Sequence, residues 1–216
     1  MKLLKALAAV AASAGFMAAS ASSAVAGLVL TLDDGVNPAV VVTDNGAGDV
    51  NPNAGNLNFF GSVGVWTVNL AFARSDNGAV SASLNENLDI STSSSGAGSL
   101  TITVLDDMFS QGYSVANAVS SVTPTQSPSL DFKSTVDGVV VLDVAGLTSG
   151  ASASAGAAIN PLSNPFTIEH VAVITHAVGA TTTFDATTVV SANEPGLLGL
   201  FGLGLIGLGI AARRRK

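Results

Sequence analysis

From residue 28 to residue 190 the chain alternates apolar and polar positions in short bursts, with a period of two rather than 3.6. The clearest burst is "VGVWTVNLAFA", residues 63–73. Its one set, Trp66, Val68, Leu70 and Phe72, is apolar throughout. The other set, Val63, Val65, Thr67, Asn69 and Ala71, is mixed. The first set is therefore expected to face a core. Similar runs occupy 28–32, 38–43, 57–60, 79–84, 88–91, 99–105, 113–119, 130–133, 139–144, 167–175 and 181–190. Turn chemistry separates them: Asp-Asp-Gly at 33–35, Asp-Asn-Gly at 44–46 and 76–78, and Asp-Gly at 137–138. A dozen short strands at this spacing predict an all-β fold, an antiparallel β-sandwich with jelly-roll or Greek-key-like connections. Residues 120–129, with two prolines, and 148–164, rich in Ala, Ser and Gly, read as surface excursions of one domain. No amphipathic helix and no fixed-period repeat is visible.

The two ends break this pattern. Lys2 and Lys5 precede a short apolar stretch from residue 6 to about residue 19, and Ala24-Val25-Ala26 follows. That is a secretory signal over 1–26, with Ala24 and Ala26 as the small residues read by a signal peptidase. The domain expected to reach the outside is then 27–192. At the other end, residues 196–212 carry no charge, and Arg213, Arg214, Arg215 and Lys216 follow at once. As a helix, 196–212 spans about 25 Å, the short end of what crosses a bilayer core. The four cations hold it at the cytoplasmic face as a stop-transfer signal. The expectation is export across the inner membrane with transient anchoring by this helix.

Composition sharpens the picture in two places. All fifteen Asp and Glu lie within 27–194, where the only cations are Arg74 and Lys133, so the exported part carries a net charge of −13. That excludes nucleic acid and anionic membrane surfaces as partners. There is no cysteine, so a disulfide framework, a thiolate metal site and a cysteine nucleophile are absent.

The tail has a more specific likeness. Asn193-Glu194-Pro195, the Gly/Leu-rich span 196–212 and the basic cluster 213–216 resemble the PEP-CTERM sorting signal of Gram-negative bacteria, with Asn193 in place of that family's first proline. The resemblance implies recognition by an exosortase, processing near Glu194 and Pro195, and passage to the cell surface or medium. It also implies an association with exopolysaccharide. Within the domain, "TDNGAGDVNPNAGNLNFFGSVGVWTVN", "SSGAGSLTITVLDDMFS" and "VAVITHAVGATTTFDATTVV" resemble blocks of one group of such proteins, whose β-rich domain implies no reaction.

Candidate chemistry is sparse. Asp44, Asp49, Asn51 and Asn53 place oxygens at intervals along a Gly-containing loop, a pattern suited to Ca²⁺. Against that, Ala54 stands where an EF-hand glycine belongs and Phe60 where its bidentate Glu belongs; Asp/Asn/Gly loops commonly bond their own backbone. Asp106-Asp107 reads as solvated strand-end charge. His170 and His176 share one strand face with Phe166, Ile168, Ala172 and Ile174, about 20 Å apart, too far to hold one metal. Trp66 reads as core, and Tyr113 is the one other large amphipathic aromatic. No Gly-x-Ser-x-Gly elbow occurs. The reading is therefore a non-enzymatic surface or matrix protein of structural or adhesive role, without a cofactor. The alternative is a carbohydrate- or Ca²⁺-binding module. A secreted hydrolase, which needs two carboxylates or a His and a carboxylate meeting in a pocket, stands third.

Overall fold

A computed structural model describes residues 27–75, 83–109 and 115–192. The expected signal segment 1–26, the 76–78 turn, Tyr113 and the expected sorting tail 193–216 lie outside the described residues. Twelve strands are present: β1 (Val29–Asp33), β2 (Val40–Thr43), β3 (Asn56–Val63), β4 (Trp66–Ser75), β5 (Ser83–Ser94), β6 (Gly98–Phe109), β7 (Ala116–Gln126), β8 (Leu130–Val136), β9 (Val139–Leu147), β10 (Ala153–Ile159), β11 (Phe166–His176) and β12 (Thr181–Ala192). They form two six-stranded sheets, β2-β1-β6-β11-β8-β9 and β10-β7-β12-β5-β4-β3, with every pairing antiparallel. Among the described residues no helix is long and apolar enough to cross a membrane.

The last eight strands follow a jelly-roll path. β5 pairs with β12, β6 with β11, β7 with β10 and β8 with β9. This is one long antiparallel ribbon, closed by the β8–β9 turn and wound so that successive pairs fall in alternate sheets. The β8–β9 turn is Asp137-Gly138, both at positive φ (53° and 76°), the two-residue hairpin that an Asp-Gly pair favours. The first four strands widen the sandwich: β1 and β2 extend one sheet beyond β6, and β3 and β4 extend the other beyond β5.

Four local features depart from the alternation read in the sequence. β7 runs through residues 120–126, so the first expected excursion is largely strand. Pro124 is tolerated there because β10 pairs with β7 only as far as Val122, and a register shift sits beside it at Phe184. The second expected excursion contains β10, whose Ala- and Gly-rich sequence has low strand propensity but is paired along its length to β7. In β4, a bulge between Val68 and Leu70 switches the faces. Trp66 and Val68 are buried as expected, but beyond the bulge Ala73 is buried and Phe72 stands half-buried on the outer face beside Asp89. Lastly, β6 continues past the expected end to Phe109. That extension puts Asp106 on the inner face with Leu100, Ile102 and Val104, fully buried, while Asp107 is exposed.

The interior is not one apolar mass. A large cluster contains Ile102, Val104, Phe132, Ala172, Phe184 and Val122. A smaller one contains Phe109, Phe166, Val136, Ile168, Ala118 and Val190, with the rings of Phe109 and Phe166 stacked 5.2 Å apart. Between them lies a transverse layer of buried polar side chains: Ser120 on β7, Ser134 on β8, His170 on β11 and Thr188 on β12, each at 0% exposure. Thr188 Oγ1 donates to Ser120 Oγ at 3.0 Å. With its single proton so used, it accepts from Ser134 Oγ at 2.7 Å and from His170 Nε2–H at 2.7 Å. Ser134 and His170 belong to one sheet, Thr188 and Ser120 to the other, so these bonds cross the sandwich.

Two outcomes are expected. Phe184→Ala, at a fully buried site in the larger cluster, costs about 3–5 kcal/mol in urea unfolding. Burial lowers the His170 pKa from 6.5 to about 3, so the unfolded chain binds the extra proton first. His170 therefore leaves stability intact above pH 6.5 and removes it as pH falls from 6.5 towards 3, with a limiting slope of about 1.4 kcal/mol per pH unit. Unfolding measured from pH 7 to 4 should show this component in the parent and lack it in His170→Asn; equal slopes would refute it.

Candidate functional site

The strand registers give the sandwich two poles. At one, which we call the apex, lie the β1–β2 loop, the β3–β4 turn, the β5–β6 turn and the β11–β12 turn, since Asp33 pairs with Thr101, Trp66 with Ser94, His176 with Gly98 and Thr181 with Ser93. At the other, Phe166 pairs with Phe109 and Ala192 with Ala116. β12 thus delivers residue 192, the last described residue, to the pole opposite the apex.

A cleft of about 180 Å³ opens at the apex, lined by Asp34, Val36, Asn37, Val65, Trp66, Gly98 and Ser99, together with Gly64 and Ala97. Its rim is built by capped turns. Asp33 Oδ1 accepts the N–H of Gly35 at 2.7 Å. Asp34 Oδ1 accepts from Val36 N at 3.0 Å and Asn37 N at 2.8 Å, and its Oδ2 accepts from Asn37 Nδ2 at 2.8 Å. The Asn37 backbone bond is the main reason the Asp34 pKa lies below the usual carboxylate value, so the rim carries a fixed negative charge. The same pole exposes apolar side chains: Val36 (87%), Val178 (70%) and Val65 (44%). Gly64 stands at φ +53°, and a Cβ there would strike the Asp34 carboxylate and Asn37 Nδ2.

Trp66 forms the inner wall. It is 1% exposed, and its Nε1–H has no hydrogen-bond partner. Gly98, itself on the cleft wall, lies against that N–H, with its Cβ position 3.3 Å from Nε1. The indole packs on the His176 ring at 4.6 Å, tilted by 41°. His176 is in turn fixed at both nitrogens. Ser94 Oγ gives its proton to Gly96 O at 2.8 Å, so at 2.7 Å it accepts from His176 Nδ1–H. The bare Nε2 then accepts from Thr182 Oγ1 at 2.8 Å. Burial lowers the His176 pKa, so the imidazole is neutral and oriented. The sequence reading of Trp66 as core holds, and His176, expected on one strand face with Phe166, Ile168, Ala172 and Ile174, is buried with them; the cleft above was not legible, because it assembles from turns at 34–37, 64–66 and 97–99.

The expected loop candidates do not converge as a set. Asp49 Oδ2 accepts from Asn45 N at 2.9 Å; its Oδ1 accepts from Asn51 N and Asn58 N, both at 2.9 Å. Asn51 Oδ1 accepts from Asn53 N at 3.0 Å and from Asn53 Nδ2 at 3.1 Å. These are backbone-capping turns. Asp44 is separate, buried at 8% exposure, with Oδ2 accepting Gly55 N at 2.8 Å. A carboxylate pair the sequence could not reveal is Asp89 with Asp185, directly opposite on β5 and β12. Desolvation first, then the charge and hydrogen bond of Asp185, raise the Asp89 pKa. This pair stands on the outer face of its sheet, not in the apical cleft. Ser120, Ser134 and Thr188 meet His170 only in the sealed core, out of a substrate's reach. Among the described residues no group of three or more His, Asp or Glu is placed to hold a metal. Ala24, Ala26, Asn193, Glu194, Pro195 and residues 213–216 lie outside the described residues.

No protein family matches the sequence, and no curated protein does. Solved structures with a partly similar fold include a family-61 carbohydrate-binding module in complex with β-1,4-galactotriose (10% identity, TM-score 0.34, covering 61% of this chain and 92% of that one). Others are a xylan-binding domain from Paenibacillus barcinonensis (11%, 0.31, 62% and 90%) and a family-35 carbohydrate-binding module from Clostridium thermocellum (14%, 0.26, 64% and 100%). At these TM-scores the likeness assigns neither fold family nor ligand to this chain.

Gly64→Ala tests the rim directly. A Cβ at φ +53° costs about 1–2 kcal/mol in backbone terms and displaces the Asp34–Asn37 clamp. Loss of about 1–3 kcal/mol in stability, with a changed environment for Trp66, the single tryptophan, is expected in denaturation followed by fluorescence. An unchanged emission spectrum would mean that the rim does not shape the cleft.

Proposed function

We propose that this chain is an exported, surface-displayed adhesive module that binds polysaccharide at its apical cleft, without catalysing a reaction. The observation that carries the reading is the cleft itself. It offers one orphaned indole N–H, a fixed carboxylate at Asp34, the Asn37 amide on the rim and apolar walls from Val36 and Val65. Sugars need this mixture: apolar C–H faces to pack and hydroxyls to hydrogen-bond. Size favours a single ring, since an apolar cavity of about 150 Å³ holds benzene and this cleft measures about 180 Å³. A terminal or branch sugar of a polymer fits better than an internal stretch of chain.

Direction supports display. β12 ends at the pole opposite the cleft, so an anchor through 196–212 would leave the apex facing outwards. Secretion by the 1–26 signal and exosortase sorting through Asn193, Glu194 and Pro195 complete the reading; their support is the sequence of the two ends. The −13 charge of the exported part suits a soluble, non-sticky stalk for such a site.

Trp66 is a built-in reporter. Titration of the full chain in detergent micelles with neutral mono- and oligosaccharides, and with the exopolysaccharide of the producing cells, should shift its emission at millimolar ligand or below. Asp34→Ala should weaken binding at least tenfold. Absence of any shift across these sugars would sink the carbohydrate reading. Intact mass of the protein from its host addresses sorting separately: a species ending near Glu194 outside the inner membrane is expected, and retention of 196–216 would overturn that part.

A further inference from the structure

The charges around the apical cleft are one-sided. Asp34 lines it, half-buried, and Asp33 stands exposed in the same turn. The donors to the Asp34 carboxylate, Val36 N, Asn37 N and Asn37 Nδ2, are all neutral, so no positive charge among its partners offsets its own. Two of them fill Oδ1 and one sits on Oδ2, which leaves one of about four acceptor positions open, on Oδ2. Residues 27–194 hold only two cations, and both are remote from the cleft. Arg74 lies eight residues along β4 from Trp66, about 25 Å away. Lys133 pairs with Val171, five residues along β11 from His176, about 17 Å. Each distance exceeds the screening length of about 10 Å at 0.1 M salt.

The same cleft also carries a donor in need of an acceptor. Trp66, on the inner wall, is 1% exposed with its Nε1–H unpartnered. Gly98, on the same wall, places no side chain against that N–H; a Cβ there would stand 3.3 Å from Nε1. Three kinds of sugar ring meet this arrangement differently. A neutral ring brings hydroxyls for both groups but leaves the Asp34 charge uncompensated. A uronate brings a second negative charge to it, which repels. A ring with a free ammonium brings three charged N–H donors for the carboxylate, hydroxyl oxygens as acceptors, and apolar C–H faces for Val36 and Val65.

We propose that the preferred ligand of the apical cleft is an amino sugar with a free ammonium, as a terminal or branch residue of a partly de-N-acetylated polymer, its ammonium set against Asp34 Oδ2 and its hydroxyls turned towards Trp66. This rests on the carbohydrate reading given above and narrows it to one class of sugar. The net charge of −13 over residues 27–194 adds a long-range attraction for a polymer of positive charge. Because Asp34 is half-buried rather than sealed, water screens the pair, and the preference over a neutral ring is about three- to tenfold.

The test is calorimetric titration of the full chain in detergent micelles with the methyl glycosides of glucosamine, N-acetylglucosamine, glucose and glucuronic acid. Each is run at about 20 mM and about 500 mM NaCl. The glucosamine glycoside should bind about three- to tenfold tighter than the two neutral ones, and the glucuronide weakest. High salt should shrink that spread. In Asp34→Asn the ratio of ammonium to neutral ligand should fall to about one, whatever the absolute affinity. If that variant folds poorly, the salt series on the parent chain still decides. Equal binding of glucosamine and glucose glycosides, or tighter binding of the glucuronide, overturns the proposal and leaves the carbohydrate reading standing. A preference retained in full by Asp34→Asn overturns it too. Binding of none of the four sinks the carbohydrate reading, and the proposal with it.

Discussion

The hydroxyl of Thr188 is where the two sheets are keyed together. It joins Ser120 beside it to Ser134 and His170 across the sandwich. A second key lies six residues away on each strand, where His176 of β11 meets Thr182 of β12. The two pairs are symmetric about Gly179, so β11 folds back over β12 with one fixed offset. Most other buried side chains are Val, Leu, Ala and Ile, whose attraction is non-directional and tolerates sliding. Hydrogen bonds between buried polar groups do not tolerate it, because a displaced pair leaves both members unsatisfied in a low-dielectric interior. In a jelly roll, whose paired strands are distant in sequence, such directional contacts select one register from many.

That constraint reaches the surface through His176. Its two nitrogens are held by Ser94 and Thr182, and its ring supports the indole of Trp66. The indole sets the depth of the cleft, and the turns around it set the rim. A rigid core element thus positions a site made of loops, the arrangement in which loops can vary their chemistry without moving their frame.

How much of this was legible in the sequence depended on whether the signal was local. Alternation in residues 166–176 and 181–192 marks buried faces correctly, including both histidines, because period two is a property of each strand alone. The Asp-Gly hairpin at 137–138 was equally plain, since positive φ is a demand on two residues. What failed was whatever depended on a neighbour. Residues 153–159 are Ala, Ser and Gly with one Ile, and become strand because β7 offers them a partner. Phe72 turned outward because a bulge three to four residues earlier, set by pairing with β5, added a residue to the count. Asp106 looked like strand-end charge because nothing local says that β11 extends the ladder beyond it. The Asp89–Asp185 pair joins residues far apart in the chain and on different strands. Spacing along the sequence carries no trace of it.

Two titratable groups oppose one another as pH falls. His170 is neutral and buried, so acid favours the unfolded chain from pH 6.5 downwards. Asp89 has its pKa raised by burial and by Asp185, so the folded form gains a proton more readily than the unfolded one, and acid relieves its repulsion. The second effect cannot rescue the first. Asp89 is partly solvated, which screens its repulsion and keeps its contribution small beside that of the fully buried His170. Neutralising surface carboxylates also removes the like-charge repulsion that keeps exposed edges such as β2, with Val41 57% exposed, from pairing between molecules. A cysteine-free sandwich therefore has its weak side in acid, where the sheet-to-sheet key and the charged surface fail together.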